Sequence, residues 1–340
     1  MKNHYIAIGT ILGLGLLGVI IILVTIPARV VSGTAATSTP DRGENLRGGS
    51  IDGQIVFSRQ GYLWSWRGDK AARLPVEPGA SSIQGNNIHL IQPALSLDGA
   101  KLAFIREDET FSDLWLADSN GTNARNLSNY KGGGIPRSPD FIGSSLWAFS
   151  PAWSPDGTQI AFLSDVGTDD IALWSTTANK FNRQSVSKLG AGQGGLLRPS
   201  YLPKGVGFVV AAFENGKSQV YSVSAEDRSS TKLTNLPDGA YDPLVSPDGN
   251  FIAYVARKGN FSELWLMRAD GSSPLLLSNQ SSRYPAWSPD GKSLAFLALK
   301  EGSFEIFTLK FKSDGTPDGS AQQLSSGANL DGTSGITWGR

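Results

Sequence analysis

PAWSPDGTQIAFLS (residues 151–164) returns almost letter for letter as PAWSPDGKSLAFLA (285–298), and with more drift as PALSLDGAKLAFIR (93–106) and PLVSPDGNFIAYVA (243–256). PSYLPKGVGFVVAA (199–212) is a worn fifth copy, and the opening prolines of the five stand 58, 48, 44 and 42 residues apart. Self-similarity at such a period marks a repeat architecture, in which each unit buries its apolar face against the next.

Within one copy the chemistry of the turn comes first. Ser at the first corner, Pro with its preset φ at the second and Gly at the fourth suit a type I turn, so Ser154 to Gly157 should reverse the chain between two antiparallel strands. The run that follows, such as Ile160-Ala161-Phe162-Leu163, is apolar on both sides, which calls for a sheet covered on both faces. Third strands are expected at Leu114-Trp115-Leu116, Ile171-Ala172-Leu173-Trp174, Val220-Tyr221-Ser222-Val223, Leu264-Trp265-Leu266-Met267 and Ile306-Phe307-Thr308-Leu309. A weaker fourth strand precedes the next repeat, as at Pro274 to Ser278. Four short strands about every 40–60 residues, with no amphipathic helix between them, predict an all-β propeller. Gly335-Ile336-Thr337-Trp338-Gly339 reads as a first strand without partners, and Gly53-Gln54-Ile55-Val56-Phe57-Ser58 as a second strand without a first. Together they make one shared blade, so the expected propeller has six blades and no open edge.

These repeats resemble the PD40, or WD40-like, repeats of the TolB family over about residues 51–340. The resemblance implies a six-bladed propeller in the bacterial cell envelope, with an envelope protein or lipoprotein bound at the tunnel mouth. Similar blades cap prolyl oligopeptidase-like peptidases, but here no α/β-hydrolase segment follows the repeats. The chain also departs from the family at its start, where an anchor and a linker stand in place of a cleaved signal and an extra domain.

From Tyr5 to Ile26 the chain runs 22 residues without a charge. As a helix that stretch reaches roughly 33 Å and spans a hydrocarbon core. Residues 1–26 are therefore expected to be a single-pass membrane anchor, or a long signal peptide, and 27–50, rich in Gly, Ser, Thr and Pro, a flexible linker to a propeller at 51–340. The propeller is expected on the extracytoplasmic side, periplasmic or extracellular. Lys2 before the span against Arg29, Arg42 and Arg47 after it biases orientation the other way, but Asp41 and Glu44 offset the excess and long domains translocate regardless of charge.

Composition and motifs exclude several chemistries. Lys+Arg and Asp+Glu balance at 30 each without charge blocks, which removes the basis for nucleic-acid binding. There is no cysteine, hence no disulfide, thiol nucleophile or thiolate metal site. Gly13-x-Gly15-x-x-Gly18 lies inside the apolar span, and Gly190-x-Gly192-x-x-Gly195 leads through Arg198 into Pro199. Neither sits between a strand and a helix, so no nucleotide site is expected. His4 and His89 are the two histidines, and no G-x-S-x-G elbow is present, so no catalytic residue is assigned. Asp165, Asp169 and Asp170 lack a calcium-loop spacing, and neither metal nor cofactor is expected. Trp153, Trp287 and Trp338 occupy equivalent positions suited to filling the gap between blades.

The residues just before each first strand open on the tunnel face opposite the Ser-Pro-Asp-Gly turns, and there variation can carry function. They are Gln92, Ser150, Arg198, Asp242 and Tyr284, with Tyr241 and Arg283 one place earlier. Arg and Tyr are favoured binding anchors, so the partner-binding residues are assigned as Arg198, Asp242 and Tyr284, with Gln92, Tyr241 and Arg283 beside them. Insertions at 76–91 and 129–149, carrying Arg137, Trp147 and Phe149, enlarge the same face. The sequence thus reads as a membrane-anchored scaffold working by recognition. The alternative is a propeller enzyme, a hydrolase, lyase or lactonase with its active site in the tunnel.

Overall fold

Each Ser-Pro-Asp-Gly stretch closes as the sequence predicts. In the computed structural model the Gly157 N–H donates to the Ser154 carbonyl at 2.9 Å, and Gly157 takes φ +70°. The Ser154 hydroxyl donates to Asp156 Oδ1 at 2.6 Å and accepts the Gln159 N–H at 2.9 Å. The Ser–Asp contact recurs at Ser96–Asp98, Ser246–Asp248 and Ser288–Asp290, at 2.5, 2.5 and 2.6 Å. The serine hydroxyls hold the carboxyls of Asp98, Asp156 and Asp290 below the usual carboxylate range. The worn copy keeps the reversal without the serine. Its Leu202 N–H donates to Gly207 O at 2.9 Å, around a single 3-10 turn at Pro203–Gly205.

The structure describes residues 46–79, 87–108, 111–130, 146–167, 170–187, 189, 195–330, 332–333 and 335–340. They form six four-stranded antiparallel blades and one two-stranded sheet. Blade II runs from the tunnel outward as His89–Leu95, Lys101–Glu107, Ser112–Asp118 and Arg125–Asn126. Blade III begins at Ala148–Trp153, blade IV at Leu196–Tyr201, blade V at Ala240–Val245 and blade VI at Ser282–Trp287. Blade I is the shared one. Its inner strand, Ile336–Gly339, pairs with Ile51–Arg59 in the register Ile55↔Trp338 and Phe57↔Ile336, so the two ends of the repeat array lock together.

The apolar second strands explain why the blades stack. In Gln159–Ser164, Ile160 and Phe162 pack with Ala103 and Ile105 of blade II, while Ala161 and Leu163 pack with Phe208 and Val210 of blade IV. From Ile160 to Leu163 every side chain is buried, so neither face of that run is left to a polar residue. Trp153 and Trp287 fill the gaps between blades and donate their indole N–H across to the preceding blade, at Ala94 O (2.9 Å) and Leu244 O (3.3 Å). Trp338 instead bonds within its own blade, to Asp52 O at 2.8 Å.

Residues ahead of 51 also pack on the propeller. Leu46 is buried in the seam between blades VI and I, Arg47–Gly48 pairs with Ser325–Ser326, and the Gly49 N–H donates to Leu324 O at 3.1 Å. The strap passes so close that a Cβ on Gly48 would stand 1.7 Å from Leu324 O. The expected membrane helix and the linker up to residue 45 lie outside the described residues. Among those described, no helix is long and apolar enough to cross a membrane.

Candidate functional site

Each inner strand of blades II to VI carries a proline, at 93, 151, 199, 243 and 285. Proline is tolerated because the inner strand is an edge, and it throws the ladder out of register. In blade IV Leu197 pairs with Ala211 and Ser200 with Val209, so Arg198 and Pro199 together oppose Val210. The same shift lies between Ile91 and Ala94, Tyr241 and Leu244, and Arg283 and Ala286. At each bulge the residue before proline adopts left-handed backbone: Gln92 (φ +52°), Ser150 (+48°), Arg198 (+37°), Asp242 (+51°) and Tyr284 (+50°). Gly335, at +79°, holds the sixth place. Such a conformation costs a non-glycine residue of order 1–3 kcal/mol, so this ring is a strained feature repeated around the tunnel.

All of these residues but Asp242 line a cavity of about 250 Å³ between the inner strands. Gln92, Ser150, Arg198, Tyr284 and Gly335 line its mouth, and Pro155, Pro203, Pro247 and Pro289 of the turns line the far end. Of the six residues assigned from sequence, Gln92, Arg198 and Tyr284 thus face the cavity, and Asp242, Tyr241 and Arg283 stand behind them. Asp242 is buried and already engaged: its Oδ2 accepts the Arg283 Nε–H at 3.1 Å and the Tyr284 backbone N–H at 3.2 Å. Gln92 bridges another seam in the same way, its Oε1 accepting the Ser150 N–H at 2.7 Å. Arg283 lies over the rings of Tyr241 and Tyr284, at 5.0 and 5.2 Å. Burial works against its charge, yet Asp242 holds the guanidinium above its ordinary range.

Arg198 reaches in front of blade V to blade VI. Its guanidinium lies 4.8 Å from the Tyr284 ring centre, and Nη2 donates to Pro285 O at 2.9 Å. Nη1 is buried and has no hydrogen-bond partner among the described residues. Burial pushes this guanidinium down from its ordinary range, opposed by the charge of Asp242, which it does not touch. An orphaned buried donor costs about 1–3 kcal/mol, so folding alone gives no reason to keep it. Arg198 is also the one charged residue among the described lining.

Other expectations resolve as structure. Trp147 and Phe149 stack on each other, 6.0 Å apart and 2° from parallel, half-buried, while Arg137 lies outside the described residues. Asp165 accepts the Trp147 N–H at 2.9 Å and burial raises its carboxyl; Asp169 is outside the described residues. No group of three or more His, Asp or Glu able to hold a metal occurs among the described residues. His89 opens an inner strand, exposed and opposite Glu107. Gly190 and Gly192 are outside the described residues, and Gly195 leads into a strand rather than a helix.

Sequence reasoning missed a clamp on the third strands. Asp113, Gln219 and Glu305 each accept a hydroxyl from a residue just past the blade's outer strand, Ser128, Thr234 and Ser325, at 2.9, 2.8 and 2.5 Å. Each also accepts a backbone N–H just beyond, from Tyr130, Leu236 and Ala328. A polar residue immediately before an apolar third strand, with Ser or Thr some 15 to 20 residues on, was the available signal.

The comparisons agree with this geometry. The Tol-Pal system protein TolB of Anaeromyxobacter dehalogenans (strain 2CP-C) is 32% identical over 77 residues, 23% of this chain and 18% of that protein. Its counterpart in Anaeromyxobacter sp. (strain K) is 32% identical over 76 residues, 22% and 17% of the two chains. The matched region spans less than a fifth of these relatives' length. Among solved structures, TolB from Acinetobacter baumannii superimposes with a TM-score of 0.63 at 17% identity, over 86% of this chain and 68% of that one. An oligogalacturonate lyase in complex with manganese gives 0.50 at 17% identity, over 82% and 74%. At such identity both show a shared fold. Residues 139–334 match the PD40 family, the TolB beta propeller domain, and since that is more than half of the sequence, the chain belongs to this family.

Proposed function

We propose that this protein is a membrane-anchored, extracytoplasmic scaffold that binds a protein or other envelope ligand at its tunnel mouth. Arg198, Tyr284 and Gln92 make the contact, and Asp242, Tyr241 and Arg283 hold them in place. The observation that carries the reading is the ring of left-handed positions, at which Gln92, Ser150, Arg198 and Tyr284 present four different side chains to a cavity. Strain kept at a concave site is what a recognition surface requires, and a folding role would favour glycine at every place. The Tol-Pal relatives support an envelope partner, and the uncharged stretch at 5–26 supports the anchor.

The test is capture. Full-length protein is crosslinked in envelope extract from its own organism, as wild type and as the double variant Gln92→Ala/Arg198→Gln. A partner enriched by wild type and lost by a variant with an unchanged melting curve supports the mouth. Recovery that ignores the variant sinks it.

A further inference from the structure

We propose that Arg198 receives a carboxylate, carried at the tip of a partner polypeptide that enters the tunnel from the mouth. This rests on the mouth-binding reading above and adds the chemistry of what is bound. Three independent features converge on it.

The first is an unmet donor. Arg198 spends Nη2 on Pro285 O and leaves Nη1 buried without an acceptor among the described residues. A guanidinium is a planar fork that matches a carboxylate through two parallel N–H groups, a geometry one backbone carbonyl cannot satisfy. The second is charge. Asp242 is the carboxylate nearest both Arg198 and Arg283, and its Oδ2 accepts from Arg283 Nε–H and from the Tyr284 N–H, leaving Arg198 without a bond to it. Among the described residues Arg198, Arg283 and Asp242 thus leave one net positive charge at the mouth, in a concave site where a charge is screened less than on an open surface. The third is preorganisation. Stacking on Tyr284 and the bond to Pro285 O hold the guanidinium across the mouth before any ligand arrives, which lowers the ordering cost of binding. Gln92 adds neutral donors on the same lining, because its carboxamide oxygen is taken by the Ser150 N–H while its amide N–H groups have no hydrogen bond among the described residues.

Size argues for a polypeptide source. At about 250 Å³ the cavity falls below the roughly 300–1,000 Å³ typical of sites that enclose a whole small ligand. It admits the end of something larger, such as an acidic side chain on a projecting loop.

The experiment uses full-length protein in detergent with ¹⁵N-labelled arginine, titrated at constant ionic strength with three probes: N-acetyl-glutamate, N-acetyl-glutamine and galacturonate. The guanidinium signal of Arg198 is identified by its loss in Arg198→Gln. N-acetyl-glutamate should shift that signal saturably and bind at least about tenfold more tightly than the neutral amide. Calorimetry on Arg198→Gln, with its fold checked by near-UV circular dichroism, should show a loss of about tenfold or more for the same probe. Equal binding of the amide, or undiminished binding by Arg198→Gln, overturns the proposal. Galacturonate binding as tightly as N-acetyl-glutamate overturns the polypeptide source in favour of an acidic sugar. The two readings fail separately. Envelope capture lost on mutation while N-acetyl-glutamate leaves Arg198 unmoved keeps the mouth and removes the carboxylate. N-acetyl-glutamate bound at Arg198 while capture ignores Arg198→Gln does the reverse.

Discussion

The two ends of the tunnel are built from the same inner strands, yet they treat repetition oppositely. At the turn end the side chains recur: Ser96, Ser154, Ser246 and Ser288 each donate to the aspartate two residues on. At the mouth the backbone recurs and the side chains do not, as Gln92, Ser150, Arg198, Asp242, Tyr284 and Gly335 share one left-handed conformation. Where the same residue returns, it answers a folding problem that every blade has. Where only the conformation returns, the side chain has been left open to another demand.

Asp242 is the sharpest exception, and it predicts the largest effect. It sits in the mouth ring but acts as a turn-end residue does, satisfying neighbours across a seam. Asp242→Ala leaves Arg283 and the Tyr284 N–H without their acceptor, and breaking a buried pair in this way costs about 3 kcal/mol. Urea unfolding measures it. A loss under about 1 kcal/mol would place Asp242 with the open positions instead.

At the turn end, Ser154→Ala removes a donor to Asp156 and an acceptor for the Gln159 N–H, and should cost about 1 kcal/mol in the same assay. The pH dependence has a definite sign. The folded carboxyls of Asp98, Asp156 and Asp290 lie below their unfolded values, so their contribution is present above about pH 4 and is lost as pH falls through the folded values. Replacing all three by Asn should flatten the acid limb of stability below about pH 4. An unchanged slope would show that the turns are held by backbone alone.

This division also explains what could be read from the sequence. The turns, the apolar second strands and the clasp of Ile336–Gly339 on Ile51–Arg59 were legible because each is carried by residue types at fixed spacing. Five of the six mouth positions were legible as positions, from the proline that follows each one. Their division into lining and support was not, because it depends on where a long side chain ends. Arg198 crosses to Pro285, 87 residues on, while Arg283, equally arginine, turns back to Asp242. The Leu46–Gly49 strap was hidden for another reason. A Gly- and Ser-rich segment reads as linker, although at Gly48 the missing side chain is what lets the strand approach Leu324.

The smallest expected effect tests the comparison most directly. Ser150 holds the strained conformation at φ +48° before Pro151, where Gly335, two blades away in the ring, needs no strain at all. Ser150→Gly removes a cost of order 1 kcal/mol from the folded state. It also loosens the unfolded chain, which takes back about 0.5 kcal/mol. The Ser150 N–H keeps its bond to Gln92 Oε1, so the expected outcome is a gain of about 0.5 kcal/mol, read as a higher urea midpoint at unchanged slope. The same change at Gly157, reversed to Ala, should only destabilise, because that glycine closes a turn every blade needs. If Ser150→Gly destabilises as well, the mouth ring is under the same folding constraint as the turns, and its varied side chains need an explanation other than recognition.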